Sequence, residues 1–244
     1  MALATKRRNR PVILERIAGS PQAWGVASPR TRSASRFPAV AALAAALALV
    51  GGCAPAEEDA PPPSGGSVQD RLGQLTVATA GSMKGYSRDR FPHWRDTGKN
   101  CDVRDSVLQR DGKNIKLSGC NVVAGRWTSV YDNRSFTDPS DVDIDHVVPL
   151  ANAWRSGADE WDDARRGEFA NDLTRPQLIA VSASSNRAKG DQDPSQWKPA
   201  NRDYWCDYAA DWVTVKHHWR LSVTSAEKAA LTEMLEGCTW TTQP

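Results

Sequence analysis

The sequence predicts an α+β fold with more helix than strand, and three observations favour this class. Residues 121–130 are rich in Val, Trp and Thr, and a short apolar run at 178–182 lies between turn residues, as is typical of strands. Within residues 201–218, apolar side chains from Trp205 to Trp212 recur at i, i+3, i+4 and i+7, which indicates a helix with one buried face. Four cysteines after residue 100 suggest a fold stapled by disulfides.

The elements between these landmarks follow from turn residues and helix-capping signals. Asp132-Asn133 marks a turn that would pair strand 121–130 with residues 135–137 in a small β-hairpin. Gly190 ends a short helix, and Thr224 with Glu227 has the spacing of a capping box. The predicted elements in chain order are helices at 68–78 and 103–110, strands at 121–130 and 135–137, a strand from 143 limited by Pro149, helices at 150–155 and 159–170, a strand at 178–182, and helices at 184–189, 201–218 and 224–237.

The N-terminal quarter of the chain is predicted to be a leader. An Arg-rich stretch precedes the apolar run at residues 37–50, which is too short to span a membrane and is typical of a signal peptide. The run ends in Val50-Gly51-Gly52-Cys53, which resembles a bacterial lipobox whose cysteine, Cys53, becomes lipidated after cleavage. The alternative is an ordinary secretory signal cut nearby. We therefore expect an exported protein, with a membrane contact only through a lipid anchor on the outer face of the cell membrane, or a secreted one.

The predicted domain organisation has three parts. Residues 1–53 are the signal peptide with the lipobox. Residues 54–66 are rich in Pro, Gly, Ser and acids, and such a segment buries too little apolar surface to fold, so it is predicted to be a disordered linker. Residues 67–244 are long enough for one domain, with the motif core at about 120–192.

The net charge changes sign when the leader is removed. The whole chain has 31 basic and 29 acidic residues, and residues 1–53 contain eight of the basic ones and one acid, which leaves a formal charge of −5. Phosphate contacts supply most of the affinity for nucleic acid. A high-affinity nucleic-acid scaffold is therefore disfavoured, and any such partner needs a local basic patch or a metal ion.

The four remaining cysteines are expected to form disulfides. Cys101, Cys120, Cys206 and Cys238 allow three pairings, and we favour Cys101 with Cys120 and Cys206 with Cys238 because each closes a local loop. Zinc is the rival use. No C-x-x-C pair exists, however, and the spacings match no common zinc site.

One segment combines charged and apolar residues unusually. Residues 143–150 read DIDHVVPL, where Asp143, Asp145 and His146 interrupt a strand-like run. Hydrolysis of a phosphodiester needs a divalent cation held by hard oxygen ligands and a general base facing the attacking water. Adjacent residues point to opposite faces of a regular strand, so the strand must bend or end there if Asp145 and His146 are to serve one phosphate.

Forty residues later the chain reads SSNRAKGD, and the two segments together resemble the HNH (His-Asn-His) endonucleases, which have a ββα-metal, or His-Me finger, core. The resemblance is closest to the C-terminal domain of GmrSD-type restriction systems and to small exported bacterial nucleases. It extends from about Tyr86, through the FPHW and CDVR segments, to the last cysteine. It implies a metal-dependent endonuclease that acts on nucleic acid, with DNA as the expected substrate and 5′-phosphate products.

The resemblance also implies roles for individual residues. Asp145 and Asn186 would bind the metal, with Mg²⁺ expected and Mn²⁺ as the alternative, and His146 would be the general base. Lys189 would face the phosphate. The middle Asn of the family, which orients the base, falls on Gln177, a departure that could loosen the geometry. Asp143 is either a partner of the ligand residues or a strand-end acid, and no protein partner is inferred.

Other interpretations stay open. The chain could be a non-catalytic cell-surface binding lipoprotein that retains the HNH fold, as Gln177 and the negative charge would suggest. It could also be a zinc hydrolase that acts on another substrate, although Asn is a poor zinc ligand. Basic residues near the motif could form the required patch or ordinary helix surface; they are Arg155, Arg165, Arg166, Arg175, Arg187, Lys198 and Arg202. His93 and the adjacent His217 and His218 are interpreted as structural or surface residues.

Overall fold

The computed structural model describes residues 66–239, so the predicted leader and nearly all of the predicted linker lie outside the described residues. This part of the chain is α+β. Its helices are α1 (Val68–Gln74), α2 (Val103–Asp111), α3 (Leu150–Arg155), α4 (Asp163–Ala170), α5 (Ala183–Lys189), α6 (Trp205–Trp219) and α7 (Ser225–Leu235). None of the helices within residues 66–239 is long and apolar enough to cross a membrane.

The strands form three small antiparallel sheets. They are β1 (Asp96–Gly98), β2 (Cys101–Asp102), β3 (Lys113–Ser118), β4 (Asn121–Thr128), β5 (Ser135–Phe136), β6 (Val142–His146) and β7 (Leu178–Ser182). One sheet pairs β1 with β2, the second has the order β3-β4-β5, and the third pairs β6 with β7. The predicted hairpin is therefore present as β4-β5, with β3 as a further strand.

The structure differs from the prediction at α4 and at β3, in each case for a local reason. The helix predicted at 159–170 is broken, because the side chain of Asp162 accepts a hydrogen bond from the Arg165 amide and starts α4 afresh. Strand β3 was not predicted, since its sequence KNIKLS is polar and almost entirely exposed and so lacks the alternation that marks a half-buried strand. It is held by backbone pairing with β4.

The predicted disulfides are confirmed. Cys101 is bonded to Cys120, with Cα atoms 5.3 Å apart, and Cys206 to Cys238, with Cα atoms 5.8 Å apart. The second bond joins the start of α6 to the chain just after α7. Both helices that follow the motif core are thus covalently tied together.

The core of the domain is built around α6. Three residues of its predicted stripe, Tyr208, Ala209 and Trp212, are at 0% exposure, and the fourth, Trp205, is partly buried against the core. A second, smaller cluster lies between α2 and the β6-β7 sheet and contains Val107, Trp127 and Leu178. The β6-β7 pair lies between these clusters, since Val181 packs in the first and Ile144 in the second. The carboxyl end of β6 is thereby fixed from both sides.

Candidate active site

The site is built on two strands and the helix that follows them. β6 and β7 pair in an unbroken register from Val142 with Ser182 to His146 with Leu178. α5 begins directly after β7, and its first turn is fixed because Ser182 Oγ accepts a hydrogen bond from the Ser185 amide. Gly190 ends α5 with φ +55°, a backbone conformation that favours glycine. The end of β6 and one face of α5 are therefore held side by side.

A cavity of about 400 Å³ opens where β6 meets α5. Its wall includes Asp145, His146 and Asn186. β6 ends at His146, so the two adjacent residues reach the same cavity despite the alternation of a regular strand. The structure thus brings together the three residues for which a carboxylate, imidazole and amide role was predicted.

His146 is buried at 4% exposure, and its Nε2 lies 2.9 Å from the carbonyl oxygen of Ala170. A carbonyl can only accept, so Nε2 carries the hydrogen and Nδ1 keeps its lone pair. Burial is the main cause that lowers the pKa of His146 to about 3. The ring is therefore neutral at pH 7, with Nδ1 as its basic atom.

Asp145 is buried and already has two hydrogen-bond donors. The hydroxyl of Tyr131 donates to its Oδ2 at 2.6 Å, and Lys189 Nζ lies 3.0 Å from Oδ1 and 2.8 Å from Oδ2. Burial raises the pKa of Asp145, and the Lys189 charge counteracts that shift. Both partners hold the carboxylate in a single orientation at the cavity wall.

Lys189 does not line the cavity, where it was expected to face the phosphate. Its side chain is fully buried and donates to Asp145 and to the backbone oxygen of His146 at 2.9 Å. The ammonium also lies 6.0 Å from the ring centroid of Trp212. Burial lowers the pKa of Lys189. Its observed contacts are those of a residue that positions Asp145 and the end of β6.

Gln177 does not contact the imidazole that it was expected to orient. Its Oε1 accepts from the Val148 amide at 3.1 Å, and its Nε2 donates to the Val148 carbonyl at 2.9 Å. The direct partner of the His146 ring is Ala170. Gln177 therefore fixes the backbone two residues beyond His146.

Asn186 and Asp143 are paired with each other. Asn186 Nδ2 donates to Asp143 Oδ2 at 3.2 Å, which sets the amide so that its oxygen is the free acceptor end. Asp143 therefore contacts Asn186, as the first of its two interpretations, a partner of the ligand residues, requires. The amide orientation is the one that a metal ligand requires.

The donor set fits a hard divalent cation in its chemistry. Asp145 and Asn186 supply a carboxylate and an amide oxygen to one cavity, and oxygen ligands are those that Mg²⁺ prefers. No cluster of three or more His, Cys, Asp or Glu residues suited to a metal occurs within residues 66–239.

One wall of the site was missed by sequence reasoning. Tyr86 and Arg88 line the cavity, and the ring centroids of Trp94 and His93 lie 5.8 and 6.3 Å from that of His146. The sequence indicates only a structural role for His93, whereas its ring lies beside that of His146. The signal that could have revealed this wall is the density of aromatic and basic residues in YSRDRFPHW, before the first predicted strand.

The basic residues near the motif do not form one patch. Arg166 is buried at 1% exposure, Arg155 pairs with Asp191, and Lys198 pairs with Glu233. Arg187 lines the 400 Å³ cavity, whereas Arg165 and Arg175 line a separate one. Of the basic residues expected to form the patch, only Arg187 lines this cavity, and Arg88 lines it as well.

Comparison with known proteins agrees with the geometry. Residues 100–234 match the family described as GmrSD restriction endonucleases, C-terminal domain. An uncharacterized secreted protein of Arthroderma benhamiae is 52% identical over 187 residues, which cover 75% of this chain and 92% of that protein. No solved structure matches the chain. With more than half of its length matched, the chain belongs to the family of the C-terminal domain of the GmrSD restriction endonucleases.

Proposed function

We propose that the chain is an exported, metal-dependent HNH endonuclease that hydrolyses phosphodiester bonds of nucleic acid, with DNA as its substrate. The observation that carries the proposal is the convergence of Asp145, His146 and Asn186 on one cavity of about 400 Å³. A carboxylate, a neutral imidazole and an amide oxygen are the groups that such hydrolysis requires. The family to which the chain belongs supports the same reaction class.

The β6-β7 pair and α5 support the assignment of a ββα-metal core. β6 and β7 are antiparallel, and α5 begins at the residue after β7. Asp145 and His146 lie at the end of β6, and Asn186 lies on α5. Two buried side chains stabilise this unit. Lys189 donates a hydrogen bond to Asp145, and Gln177 donates one to the Val148 carbonyl. The unit thus presents its functional groups on a rigid support, which precise catalysis needs.

Asp145 and Asn186 are the residues that would hold a divalent ion, Mg²⁺ or Mn²⁺. When bound, such an ion polarises the phosphate and stabilises the leaving oxygen. Asp145 has a lone pair left on Oδ1 after its bonds to Tyr131 and Lys189. Asn186 contributes its oxygen because its nitrogen is engaged by Asp143.

His146 is the general base of the proposed reaction. Its Nδ1 takes a proton from the attacking water while the new P–O bond forms and the bond to the 3′ oxygen breaks, and that oxygen takes a proton from solvent. The Ala170 carbonyl holds Nε2–H and stabilises the imidazolium that results. A phosphate bound in the cavity brings negative charge, which favours protonated His146 and raises its pKa from the value of the free site.

Export is supported by two observations. The domain contains two disulfides, and disulfides persist mainly in oxidising compartments outside the cytoplasm. The relative from Arthroderma benhamiae is named a secreted protein. The lipobox around Cys53 lies outside the described residues, and anchoring by a lipid remains our proposal from the sequence. The substrate would then be nucleic acid outside the cell.

The proposal is tested by plasmid nicking with Mg²⁺, Mn²⁺ or EDTA, and with a matched RNA. His146→Ala should lower the cleavage rate by roughly 10²–10⁴, the usual contribution of a general base. It should also lower the thermal midpoint, because a buried ring is removed, but the protein should remain folded at the assay temperature. His217→Ala is the matched control, since His217 lies on α6 and bonds to Gln74. Equal rates for wild type and His146→Ala would contradict the assignment.

A non-catalytic binding protein is the second candidate. It is favoured by the Lys189–Asp145 pair, in which the carboxylate already has a cation at 2.8 Å. This candidate predicts that the wild type binds labelled oligonucleotides but shows no metal-dependent nicking. The same assay therefore separates the two.

A further inference from the structure

The cavity at the candidate active site carries two arginines in addition to its acids. Asp145 is neutralised by Lys189, and Asp191 by Arg155 at 2.5 Å. The arginines are Arg88 and Arg187, and neither forms a salt bridge with a carboxylate within residues 66–239. The cavity wall therefore has positive charge that no carboxylate of this part of the chain pairs with.

Arg187 has a partner on its own helix. Its Nε donates to the Ala183 carbonyl at 2.9 Å. Arg88 is exposed and belongs to the segment that precedes β1, which is separate in sequence from the motif. Arg88 is thus the cation that the fold brings to the cavity from elsewhere in the chain.

The backbone around Arg88 is firmly held. Arg88–Arg90 form one 3₁₀ turn, in which the Ser87 side chain accepts from the Asp89 amide. Tyr86 lies before the turn with its ring 5.8 Å from that of Trp154, and Phe91 after it is fully buried. The Arg90 carbonyl accepts a hydrogen bond from Arg166 Nε at 3.0 Å. A rigid turn therefore presents the exposed Arg88 side chain to the cavity.

Arg88 and His146 line the same cavity. An anion bound there can therefore be reached by the guanidinium and by the imidazole.

We propose that Arg88 binds a phosphate of the substrate strand next to the scissile one. The inference rests on the proposed nuclease function and deepens it. The guanidinium presents a planar fork of donors that suits two phosphate oxygens, and the positive charge at this wall has no carboxylate partner within the described residues. Arg88 lies outside residues 100–234, so the functional unit of this chain includes a segment that precedes the matched family domain.

The first experiment compares kinetics of wild type, Arg88→Ala and Arg88→Lys on a labelled oligonucleotide. Arg88→Ala should raise KM about tenfold and change kcat less than about threefold, because a contact made equally to substrate and transition state affects binding alone. Arg88→Lys should recover most of the KM, since it keeps the charge without the fork. Arg126→Ala is the control, because Arg126 is exposed on β4 and does not line this cavity.

The second experiment measures binding without cleavage. In a His146→Ala background, the slope of log K against log salt should decrease by about 0.7–0.9 on adding Arg88→Ala, the value for one lost phosphate contact. The Arg126→Ala change should leave the slope as it is. This readout is independent of turnover and would not respond to a purely structural defect.

The outcomes separate the two proposals. If the wild type cleaves and Arg88→Ala alters neither KM nor the salt slope, the role of Arg88 is refuted while the nuclease function stands. A loss of kcat alone, with KM and slope unchanged, also refutes it. If the wild type neither cleaves nor binds nucleic acid, the proposed function fails, and the Arg88 inference fails with it.

Discussion

Two buried lysine–carboxylate pairs contact the same tryptophan in this domain. Lys189 pairs with Asp145 at 2.8 Å, and Lys216 pairs with Glu227 at 2.6 Å. The two ammonium groups lie 6.0 and 5.7 Å from the ring centroid of Trp212. Burial lowers the pKa of both lysines. In burial, partner type and aromatic contact the two pairs are alike.

The pairs differ in what surrounds the carboxylate. Glu227 is enclosed, with Trp212 Nε1 donating to it at 2.6 Å and the Thr224 amide at 3.3 Å, and Lys216 also donates to Ser222 and Ser156. Asp145 instead forms part of the wall of a 400 Å³ cavity. A buried ion pair is therefore no sign of a site by itself. The open space beside one carboxylate is what gives Asp145 access to a ligand.

The largest effect on stability is expected at the enclosed pair. Lys216→Met leaves Glu227 as an unpaired buried charge, and we expect the free energy of unfolding to fall by about 3–5 kcal/mol. Urea denaturation followed by fluorescence measures this loss. The double variant Lys216→Met/Glu227→Gln should recover part of it, because the buried charge is removed as well.

A loss below about 1 kcal/mol for Lys216→Met would contradict this picture, since it would mean that water reaches Glu227. The matched surface control is Lys198→Met. Lys198 pairs with Glu233 at 3.0 Å, but the Glu233 side chain is 65% exposed. A pair of this kind contributes about 0–1 kcal/mol.

A smaller and different effect is expected at the site pair. Lys189→Met should lower the free energy of unfolding by about 1–3 kcal/mol, because Tyr131 still donates to Asp145 and water can enter from the cavity. Millimolar Mg²⁺ or Mn²⁺ should raise the thermal midpoint of Lys189→Met, because a ligand that binds only the folded state stabilises it. For Lys216→Met, the rise in thermal midpoint caused by the same ions should be no larger than that of the wild type.

The metal response decides whether the comparison holds. If divalent ions stabilise Lys216→Met more than they stabilise the wild type, Glu227 also accepts a cation, and the cavity does not distinguish the two carboxylates. Asp145→Asn combined with Lys189→Met is the matched control, since it keeps the shape and removes the charge. Its midpoint should be insensitive to the ions.

The motif itself was predictable because its signals are local. β7 has the bounds predicted, since an apolar run between turn residues leaves little choice, and β6 ends as Pro149 suggests. The pairing of these strands and the direct start of α5 then bring Asp145, His146 and Asn186 to one cavity. The long-range step in this outcome is the β6-β7 pairing, whose partner residues are 32 to 40 positions apart in the chain.

The partners of the motif residues were not predictable, because they come from distant segments. Tyr131 is 14 positions from Asp145, and Ala170 is 24 from His146. Arg88 reaches the cavity through the packing of Tyr86 and Phe91 on the core, which no spacing in the sequence indicates. Lys189 was expected at the phosphate because its spacing from Asn186 places both on α5, but helix spacing does not distinguish the cavity side from the buried one.

The smallest effect is expected at Asp211, a half-buried carboxylate that pairs with no lysine within residues 66–239. Asp211 accepts a hydrogen bond from the Tyr204 hydroxyl at 3.0 Å, and burial raises its pKa to about 7. Between its ordinary pKa near 3.8 and about 7 the folded protein therefore holds a proton that the unfolded chain has lost, so this group's contribution to stability declines as pH rises through that window.

Asp211→Asn should remove this decline, because the amide oxygen can still accept from Tyr204 without carrying charge. Relative to the wild type, the variant should be about 1 kcal/mol more stable at pH 8 and little changed at pH 4. The effect is modest because Asp211 lines a cavity of about 520 Å³ through which water screens the charge. Subtracting wild-type from variant unfolding free energies at each pH cancels the carboxylates whose pKa values are lowered, such as Asp132 and Asp172. A difference that is flat from pH 4 to 8 would show that Asp211 is ionised in the folded state throughout, and that a half-buried carboxylate here needs no cation to remain charged.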